Sequence, residues 1–208
     1  MKTENKVKIA VLVSGGGTNL QALIDAQRSG IIKNGEISLV ISNNPDAFAL
    51  TRAEQANIPS EIISSKEYKE QTAFEEKLIA TLTENNIDLI VLAGFMRILS
   101  QSFTSKYPRR IINVHPSLIP AFCGKGYYGL KVHEAALAYG VKVTGATVHF
   151  VNEIPDGGEI IMQKSVCIKR DETAESLQRR VMRQAEWVIL PKAVELVSKD
   201  IISERKSK

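Results

Sequence analysis

Cysteine is scarce in this sequence, because the 208 residues include only Cys123 and Cys167, and no close pairing motif joins them. Neither a disulfide framework nor a zinc knuckle is therefore indicated. No apolar stretch approaches the ~20 residues that a membrane-spanning helix needs. The apolar run at residues 9–13, which follows the N-terminal lysines, is also too short for the hydrophobic region of a signal peptide. We therefore expect a cytoplasmic protein without a membrane partner.

A large excess of charge of one sign is also missing. The formal net charge is +4, and the basic residues are spread along the chain except at Arg109-Arg110, Arg179-Arg180 and the tail at 204–208. Such clusters are most often solvated surface charge, and they suit small anionic substrates at least as well as nucleic acid. We expect small-molecule substrates, no nucleic-acid partner, and either a monomer or a homodimer.

Apolar runs and amphipathic segments alternate along the whole chain. No repeat, low-complexity stretch or linker divides it, so we expect a single domain over residues 1–208. Buried strands are predicted at 7–13, 36–41, 88–93 and 110–114, and a short extended segment at 61–63. Helical spacing predicts helices at 18–28, 47–55, 68–83, near 130–139 and at 173–197, the last kinked at Pro191. The segments at 141–151 and 159–168 alternate and look antiparallel.

This order of elements predicts the fold class. Strands that alternate with helices indicate a Rossmann-like α/β fold, in which a mostly parallel sheet carries helices on both faces. The two alternating segments add antiparallel strands toward the C-terminal part. Ligands of such sheets bind beyond the carboxyl ends of the strands, which is where the unusual residues of this sequence lie.

The stretch Ser-Gly-Gly-Gly-Thr-Asn at 14–19 joins the first predicted strand to the first predicted helix. Gly15, Gly16 and Gly17 allow a tight turn with outward N–H groups, and the helix N-terminus adds partial positive charge, so the loop suits a phosphate. The dinucleotide fingerprint fails because its third glycine would fall at Leu20, and no Gly-Lys-Ser/Thr follows at P-loop distance. A tight turn without a ligand is the alternative.

The predicted fourth strand leads directly into Gly-Phe-Met-Arg-Ile-Leu at 94–99. Apolar side chains exposed at the carboxyl end of a strand would form a flat slot, in which free backbone groups can bind the polar edge of a heterocycle. Ordinary core packing of these side chains is the alternative.

The predicted fifth strand ends in Asn-Val-His-Pro, which places Asn113 and His115 on one side of the chain. A carboxamide donor beside an imidazole can stabilise an oxyanion and move protons near neutral pH. A carboxylate would orient the histidine and favour its charged form. The best candidate is Asp156 in Pro-Asp-Gly-Gly, with Glu153 and Glu159 as competitors.

The two other histidines have weaker signals. His133 begins His-Glu-Ala-Ala-Leu, which misses the second ligand of a zinc-binding helix, so we expect an ordinary helix residue. His149 lies on an alternating strand that is expected to pass near the site, where it would have a supporting role. No metal site is predicted.

Together these residues resemble the phosphoribosylglycinamide formyltransferases, folate-dependent enzymes of purine synthesis. The resemblance runs from about Val7 to Val197 and includes five motifs in order. They are Ser-Gly-x-Gly-Thr-Asn, Leu-Ala-Gly-Phe-Met-Arg-Ile-Leu, Asn-Val-His-Pro-Ser-Leu-Ile-Pro, Thr-Gly-Ala-Thr-Val-His-Phe-Val and Asp-Gly-Gly. One motif alone would be weak, whereas all five in order are highly specific.

The resemblance implies a formyltransferase fold with a phosphate-binding N-terminal half and a folate-binding, catalytic C-terminal half. The implied phosphate and glycinamide residues, with the glycine loop included, are Gly15, Gly16, Gly17, Thr18, Asn19 and Glu186. The implied folate residues are Gln71, Met96, Arg97, Ile98, Leu99 and Asn113, and the implied catalytic residues are Asn113, His115 and Asp156. The implied co-substrate is 10-formyltetrahydrofolate, with no metal.

Three departures from the family pattern stand out. Gln71 occupies a position where relatives often have arginine, and the segment Cys-Gly-Lys-Gly-Tyr-Tyr-Gly at 123–129 is longer than the common Pro-Gly turn. The last predicted helix carries one extra residue between Val181 and Glu186.

The implied reaction is direct acyl transfer without a covalent enzyme intermediate. We expect Asn113 and protonated His115 to donate to the oxyanion, and Asp156 to hold His115 and accept the amine proton through a water. A methionyl-tRNA formyltransferase is expected to extend well past residue 208, and a formyltetrahydrofolate hydrolase to carry an extra N-terminal domain. A nucleotide-binding regulatory module without chemistry is the rival from another class.

Overall fold

A computed structural model describes residues 6–207 of the chain. The strands are β1 (Val7–Val13), β2 (Gly35–Ser42), β3 (Ser60–Ile62), β4 (Leu89–Leu92), β5 (Ile111–His115), β6 (Val143–Phe150) and β7 (Ile160–Cys167). The α-helices are α1 (Thr18–Arg28), α2 (Phe48–Gln55), α3 (Gln71–Glu84), α4 (Gln101–Thr104), α5 (Leu130–Tyr139), α6 (Ala174–Val181) and α7 (Trp187–Lys206). A 3-10 turn at Ser65–Glu67 precedes α3, and a π turn at Met182–Glu186 joins α6 to α7.

The seven strands form one sheet in the order β3-β2-β1-β4-β5-β6-β7. The pairs from β3 through β5 are parallel, whereas β6 runs antiparallel to β5 and β7 antiparallel to β6. The predicted α/β class, with antiparallel strands toward the C-terminal part, is therefore confirmed.

Alternate residues of β1 enter two apolar cores. Ile9 and Val11 pack in a core that contains side chains from α1 and α7, while Ala10 and Leu12 pack in a second core with side chains from α3 and α4. A strand covered by helices on both faces needs apolar residues at consecutive positions, which explains the continuous run seen in the sequence.

The helices depart from the predicted ones in three places. The helix predicted from residue 68 begins at Gln71, because the chain first forms the 3-10 turn and an extended stretch. The four-residue α4 was not predicted, since one turn gives no amphipathic period. The final helix extends to Lys206, and its irregular turn lies at 182–186, while Pro191 lies inside α7. Within residues 6–207, no helix is long and apolar enough to cross a membrane.

Candidate active site

The carboxyl ends of three parallel strands lie side by side at one edge of the sheet. Leu92 of β4 pairs with Leu12 of β1 on one side and with Asn113 of β5 on the other. The loops that follow these strands therefore start from neighbouring positions. This edge is where ligands bind in sheets of this class.

A cavity of about 520 Å³ opens at this edge, beyond β4 and β5. Eight of the predicted site residues line it: Met96, Arg97, Ile98, Leu99, Asn113, His115, His149 and Asp156. The glycine loop, Gln71 and Glu186 are not among its lining residues. The structure thus brings the predicted catalytic and heterocycle-binding residues together and leaves the predicted phosphate site next to them, at the end of β1.

Asp156 is the centre of the polar cluster in the cavity. Its Oδ2 atom lies 3.4 Å from Nδ1 of His115 and accepts a 2.8 Å hydrogen bond from the backbone N–H of Gly124. Its Oδ1 atom lies 3.5 Å from Nε2 of His149 and 3.5 Å from Nδ2 of Asn113. Burial alone would raise the pKa of Asp156, but the hydrogen bond from His149, the charge of His115 and the Gly124 N–H together lower it. The carboxyl group is therefore ionised near neutral pH.

The two competing carboxylates lie elsewhere. Glu159 forms an exposed ion pair with Arg109, and Glu153 lines a separate surface cavity. The structure therefore places Asp156, and neither glutamate, beside His115.

Both ring nitrogens of His115 face acceptors. The side chain is buried, with Nε2 2.9 Å from the carbonyl oxygen of Phe122 and Nδ1 directed at Asp156. Burial lowers the pKa of His115, and this effect outweighs the opposing effects of Asp156 and the Phe122 carbonyl. The expected donation from His115 to a substrate oxygen stays a prediction; in this structure Nε2 faces the Phe122 carbonyl and Nδ1 faces Asp156.

The glycine loop forms the turn expected at the end of β1. Gly17 caps α1 with φ 68°, and a Cβ atom there would lie 2.7 Å from the Cβ of Ala49, so only glycine fits. Gly15 and Gly16 have space for a side chain, because no atom lies within 4 Å of the position that a Cβ atom would occupy there. The Arg52 side chain donates to the Gly16 carbonyl at 2.8 Å, which brings a positive charge to the loop.

Asn19 and Glu186 meet in a buried contact. Nδ2 of Asn19 donates to Oε2 of Glu186 at 2.8 Å, while Oδ1 of Asn19 has no hydrogen-bond partner among residues 6–207. Burial raises the pKa of Glu186 to about 7, although the hydrogen bond from Asn19 lowers it. The π turn that ends at Glu186 positions this carboxyl group at the start of α1.

The apolar loop after β4 is open to solvent for part of its length. Met96 and Ile98 are 55% and 61% exposed, whereas Leu99 is 5% exposed and belongs to the core. Ordinary core packing therefore describes Leu99 but not Met96 or Ile98. The N–H of Met96 donates to Oγ of Ser14 at 2.8 Å, which joins this loop to the glycine loop.

Gln71 is hydrogen-bonded to the same loop. Its side-chain nitrogen donates to the carbonyl oxygen of Ile98 at 3.0 Å and to Oε1 of Glu75 at 2.9 Å. Glu75 is buried and accepts the backbone N–H of Ser100 at 2.8 Å. Gln71 and Glu75 therefore stabilise the conformation of the loop after β4.

Sequence reasoning did not identify Phe122, Gly124, Arg52 or Glu75 as site residues. Phe122 and Gly124 contribute through backbone atoms, which leave no residue-type signal. Arg52 and Glu75 are charged residues on predicted helices, where solvent exposure is the usual expectation. Within residues 6–207, no group of three or more His, Cys, Asp or Glu side chains is arranged so that it could hold a metal ion.

Comparisons with known proteins show which family the chain is similar to. The family model for formyl transferases matches residues 7–194. The chain is 45% identical over 94% of its length to the human trifunctional purine biosynthetic protein adenosine-3, of which it spans 19%. It is 43% identical over 88% of its length to phosphoribosylglycinamide formyltransferase of Haemophilus influenzae, and it covers 84% of that protein.

Solved structures show the same similarity. Glycinamide ribonucleotide transformylase 1 from Symbiobacterium toebii superposes with a TM-score of 0.88 at 40% identity, over 94% of this chain and 89% of that one. Phosphoribosylglycinamide formyltransferase from Coxiella burnetii superposes with a TM-score of 0.85 at 43% identity, over 94% and 88%.

Proposed function

Because this chain belongs to the formyl transferase family, we propose that it transfers the formyl group of 10-formyltetrahydrofolate to the amine of phosphoribosylglycinamide. The products are the N-formyl compound and tetrahydrofolate, in de novo purine synthesis. The observation that carries this proposal is the cluster of Asn113, His115 and Asp156 in the cavity beyond β5. The substrates are small molecules, and we place the reaction in the cytoplasm.

Each substrate has a matching part of the site. The cavity is of the size that holds a drug-sized molecule, and its exposed Met96 and Ile98 suit the flat face of the pterin. The glycine loop at the N-terminus of α1, with Arg52 beside it, suits the phosphate. The Asn19–Glu186 pair lies in the first turn of α1 and suits the polar sugar and glycinamide end.

The chemistry follows from the charges of the cluster. The neutral amine forms a bond to the formyl carbon, and the formyl oxygen becomes an oxyanion. The amide of Asn113 donates to this oxygen, and His115, which lies between the Phe122 carbonyl and Asp156, adds positive charge beside it in its protonated form. Ionised Asp156 accepts the amine proton through a water. The bond from the formyl carbon to the folate nitrogen breaks as that nitrogen receives the same proton back from Asp156 through the water.

One assay tests this function. The protein is mixed with 10-formyltetrahydrofolate and phosphoribosylglycinamide, and the appearance of tetrahydrofolate is followed, with Asp156→Asn as the control for a contaminating activity. We expect turnover with the phosphorylated amine, little with the amine that lacks the phosphate, and none with water alone. Loss of the formyl group in water alone would instead indicate a hydrolase, and no turnover of the donor with any amine would indicate a binding module.

A further inference from the structure

Three clusters of basic residues stand out in the sequence, and in two of them the structure pairs the arginines with carboxylates. Arg109, Arg110 and Arg205 each form such an ion pair. In the third cluster Arg180 is also paired, but Arg179 forms no ion pair within residues 6–207. The charge of this third cluster therefore needs a separate explanation.

A cavity of about 470 Å³, which we call the basic cavity, lies beside this cluster on α6 and the π turn. It shares no lining residue with the cavity beyond β4 and β5. Its basic lining residues are Lys169, Arg170, Arg179, Arg180 and Arg183. The other described lining residues are Glu172, Ser176 and Gln184, so none of them is apolar or aromatic.

Arg180 and Glu172 are the buried charges of the basic cavity, with side chains 16% and 5% exposed. Nε of Arg180 donates to Oε1 of Glu172 at 2.8 Å, and Nη2 donates to Oε2 of Glu172 and, at 2.7 Å, to the Cys167 carbonyl. Oε2 of Glu172 also accepts the Lys169 N–H at 2.9 Å. The one carboxylate of the cavity is therefore neutralised, and the same contacts fix the end of β7 against α6.

Three cations of the basic cavity have no carboxylate of their own. Lys169, Arg179 and Arg183 are exposed, and none of them forms an ion pair in the described chain. Arg170 has an exposed ion pair with the residue that follows it. Exposed Glu175, one turn before Arg179, interacts with its charge but does not line the cavity. Like charges gathered at one surface repel each other, and a bound anion relieves this repulsion.

The chemistry of the lining identifies the class of anion. Guanidinium groups bind phosphate oxygens through paired N–H donors, and lysine binds them as a point charge. A nucleobase needs an apolar or aromatic surface to pack against, and none of the described lining residues offers one. The cations line one cavity instead of following a stripe along the surface, as a nucleic-acid backbone requires. The cavity therefore suits a compact anion that carries several charges.

We propose that the basic cavity is a binding site for a polyphosphate group, either as inorganic polyphosphate or as the triphosphate of a nucleotide. Lys169, Arg179 and Arg183 bind the phosphate oxygens, and the base of a nucleotide stays in solvent. Arg183 belongs to the π turn that ends at Glu186, so the bound anion contacts the turn that positions this acid. The site is independent of the formyl-transfer reaction proposed above.

The test is calorimetry of the whole chain with tripolyphosphate in magnesium-free buffer. Wild type is compared with the double variant Lys169→Ala/Arg179→Ala, with Lys77→Ala as an exposed lysine outside the cavity, and with Gly16→Asp in the glycine loop. We expect the double variant to bind about tenfold more weakly, as for the loss of two exposed ion pairs. Its melting temperature should be unchanged, because both replaced side chains are exposed. Lys77→Ala and Gly16→Asp should keep the affinity of wild type.

ATP and GTP should bind as tightly as tripolyphosphate, because the cavity binds the phosphates alone. The proposal is overturned if tripolyphosphate does not bind, or if its affinity is the same in the double variant as in wild type. Loss of binding only in Gly16→Asp would assign the anion to the glycine loop, and binding of ATP without tripolyphosphate would show recognition of the base. Tighter binding of a short single-stranded oligonucleotide at the same salt concentration would indicate a nucleic-acid surface instead.

Discussion

Asn113 and His149 lie opposite each other on the antiparallel strands β5 and β6, with Nδ2 of Asn113 3.3 Å from Nε2 of His149. Nδ1 of His149 lies 2.8 Å from the Phe150 carbonyl, so the imidazole ring is held in place beside the Asn113 amide. The same amide nitrogen is 3.5 Å from Asp156. The predicted catalytic amide is thus oriented by a residue for which the sequence indicates a supporting role.

The first prediction concerns His115 and Asp156. If they act on one transition state as a unit, His115→Ala and Asp156→Asn should each lower kcat by roughly 10²–10³ with little change in the affinity of either substrate. The double variant should be scarcely worse than the poorer single variant, because a histidine without its carboxylate has already lost much of its role. Steady-state kinetics of the four proteins measures this.

Glu159→Gln is the matched control for this set, since that carboxylate forms an exposed ion pair with Arg109 away from the cavity. It should retain wild-type turnover. Multiplication of the two single losses in the double variant would show independent roles and exclude the paired mechanism. Near-normal turnover in Asp156→Asn would exclude this carboxylate from proton transfer.

The second prediction concerns the glycine loop. Gly16→Asp should weaken binding of the phosphorylated substrate far more than binding of folate, because it places a carboxylate where the phosphate is expected. Gly16→Ala is the control, since no atom lies within 4 Å of the added Cβ, and it should bind both ligands normally. Calorimetry with each ligand separates the two effects, and equal losses for both ligands in Gly16→Asp would show that the loop is not the phosphate site.

The third prediction compares Met96 with Leu99. Met96→Asp should raise the KM for folate and leave the melting temperature nearly unchanged, because the side chain is 55% exposed. Leu99→Asp buries a charge in the second core and should destabilise the fold strongly. Thermal unfolding and kinetics of both variants measure this. Unfolding of Met96→Asp would contradict the placement of this side chain in the ligand cavity.

The fourth prediction concerns the pH dependence of stability that comes from Glu186. Its pKa is about 7 in the folded protein against 4.5 for the free side chain, so the folded state binds the proton more tightly. The associated stability is complete below pH 4.5 and is lost as pH rises through 7, with an upper limit of about 3 kcal/mol.

Glu186→Gln removes this titration while keeping the shape of the side chain. Urea unfolding of both proteins at pH 5 and pH 8 gives the difference in free energy of unfolding. We expect the variant to gain stability relative to wild type between these two values. A difference that is the same at both pH values would show that Glu186 does not titrate in this window.

The sequence predicts the sheet well because the relevant signal is local. Apolar residues at consecutive positions of β1 predict a strand covered on both faces, and the alternation in β6 and β7 predicts their antiparallel pairing. The resemblance to formyltransferases, which depends on five motifs in order, is likewise confirmed.

The site residues that were missed depend on contacts distant in sequence. The Gly124 N–H reaches Asp156, 32 residues away, and Glu75 reaches Ser100, 25 residues away. A backbone donor is present at almost every residue, so no residue type marks the one that is used. The burial of His133 was not predicted either. The sequence indicates an ordinary helix residue, whereas in the structure His133 is fully buried and neither ring nitrogen is hydrogen-bonded within the described chain.

The π turn at Met182–Glu186 determines how the two helices that it joins are rotated relative to each other. One residue added to a regular α-helix rotates every later side chain by about 100° about the axis. Here the wider turn takes up one residue locally, so Leu177 before it and Leu190 after it both face the same core. The helices before and after this turn therefore keep their apolar sides on one core, and the turn ends at the buried acid beside Asn19.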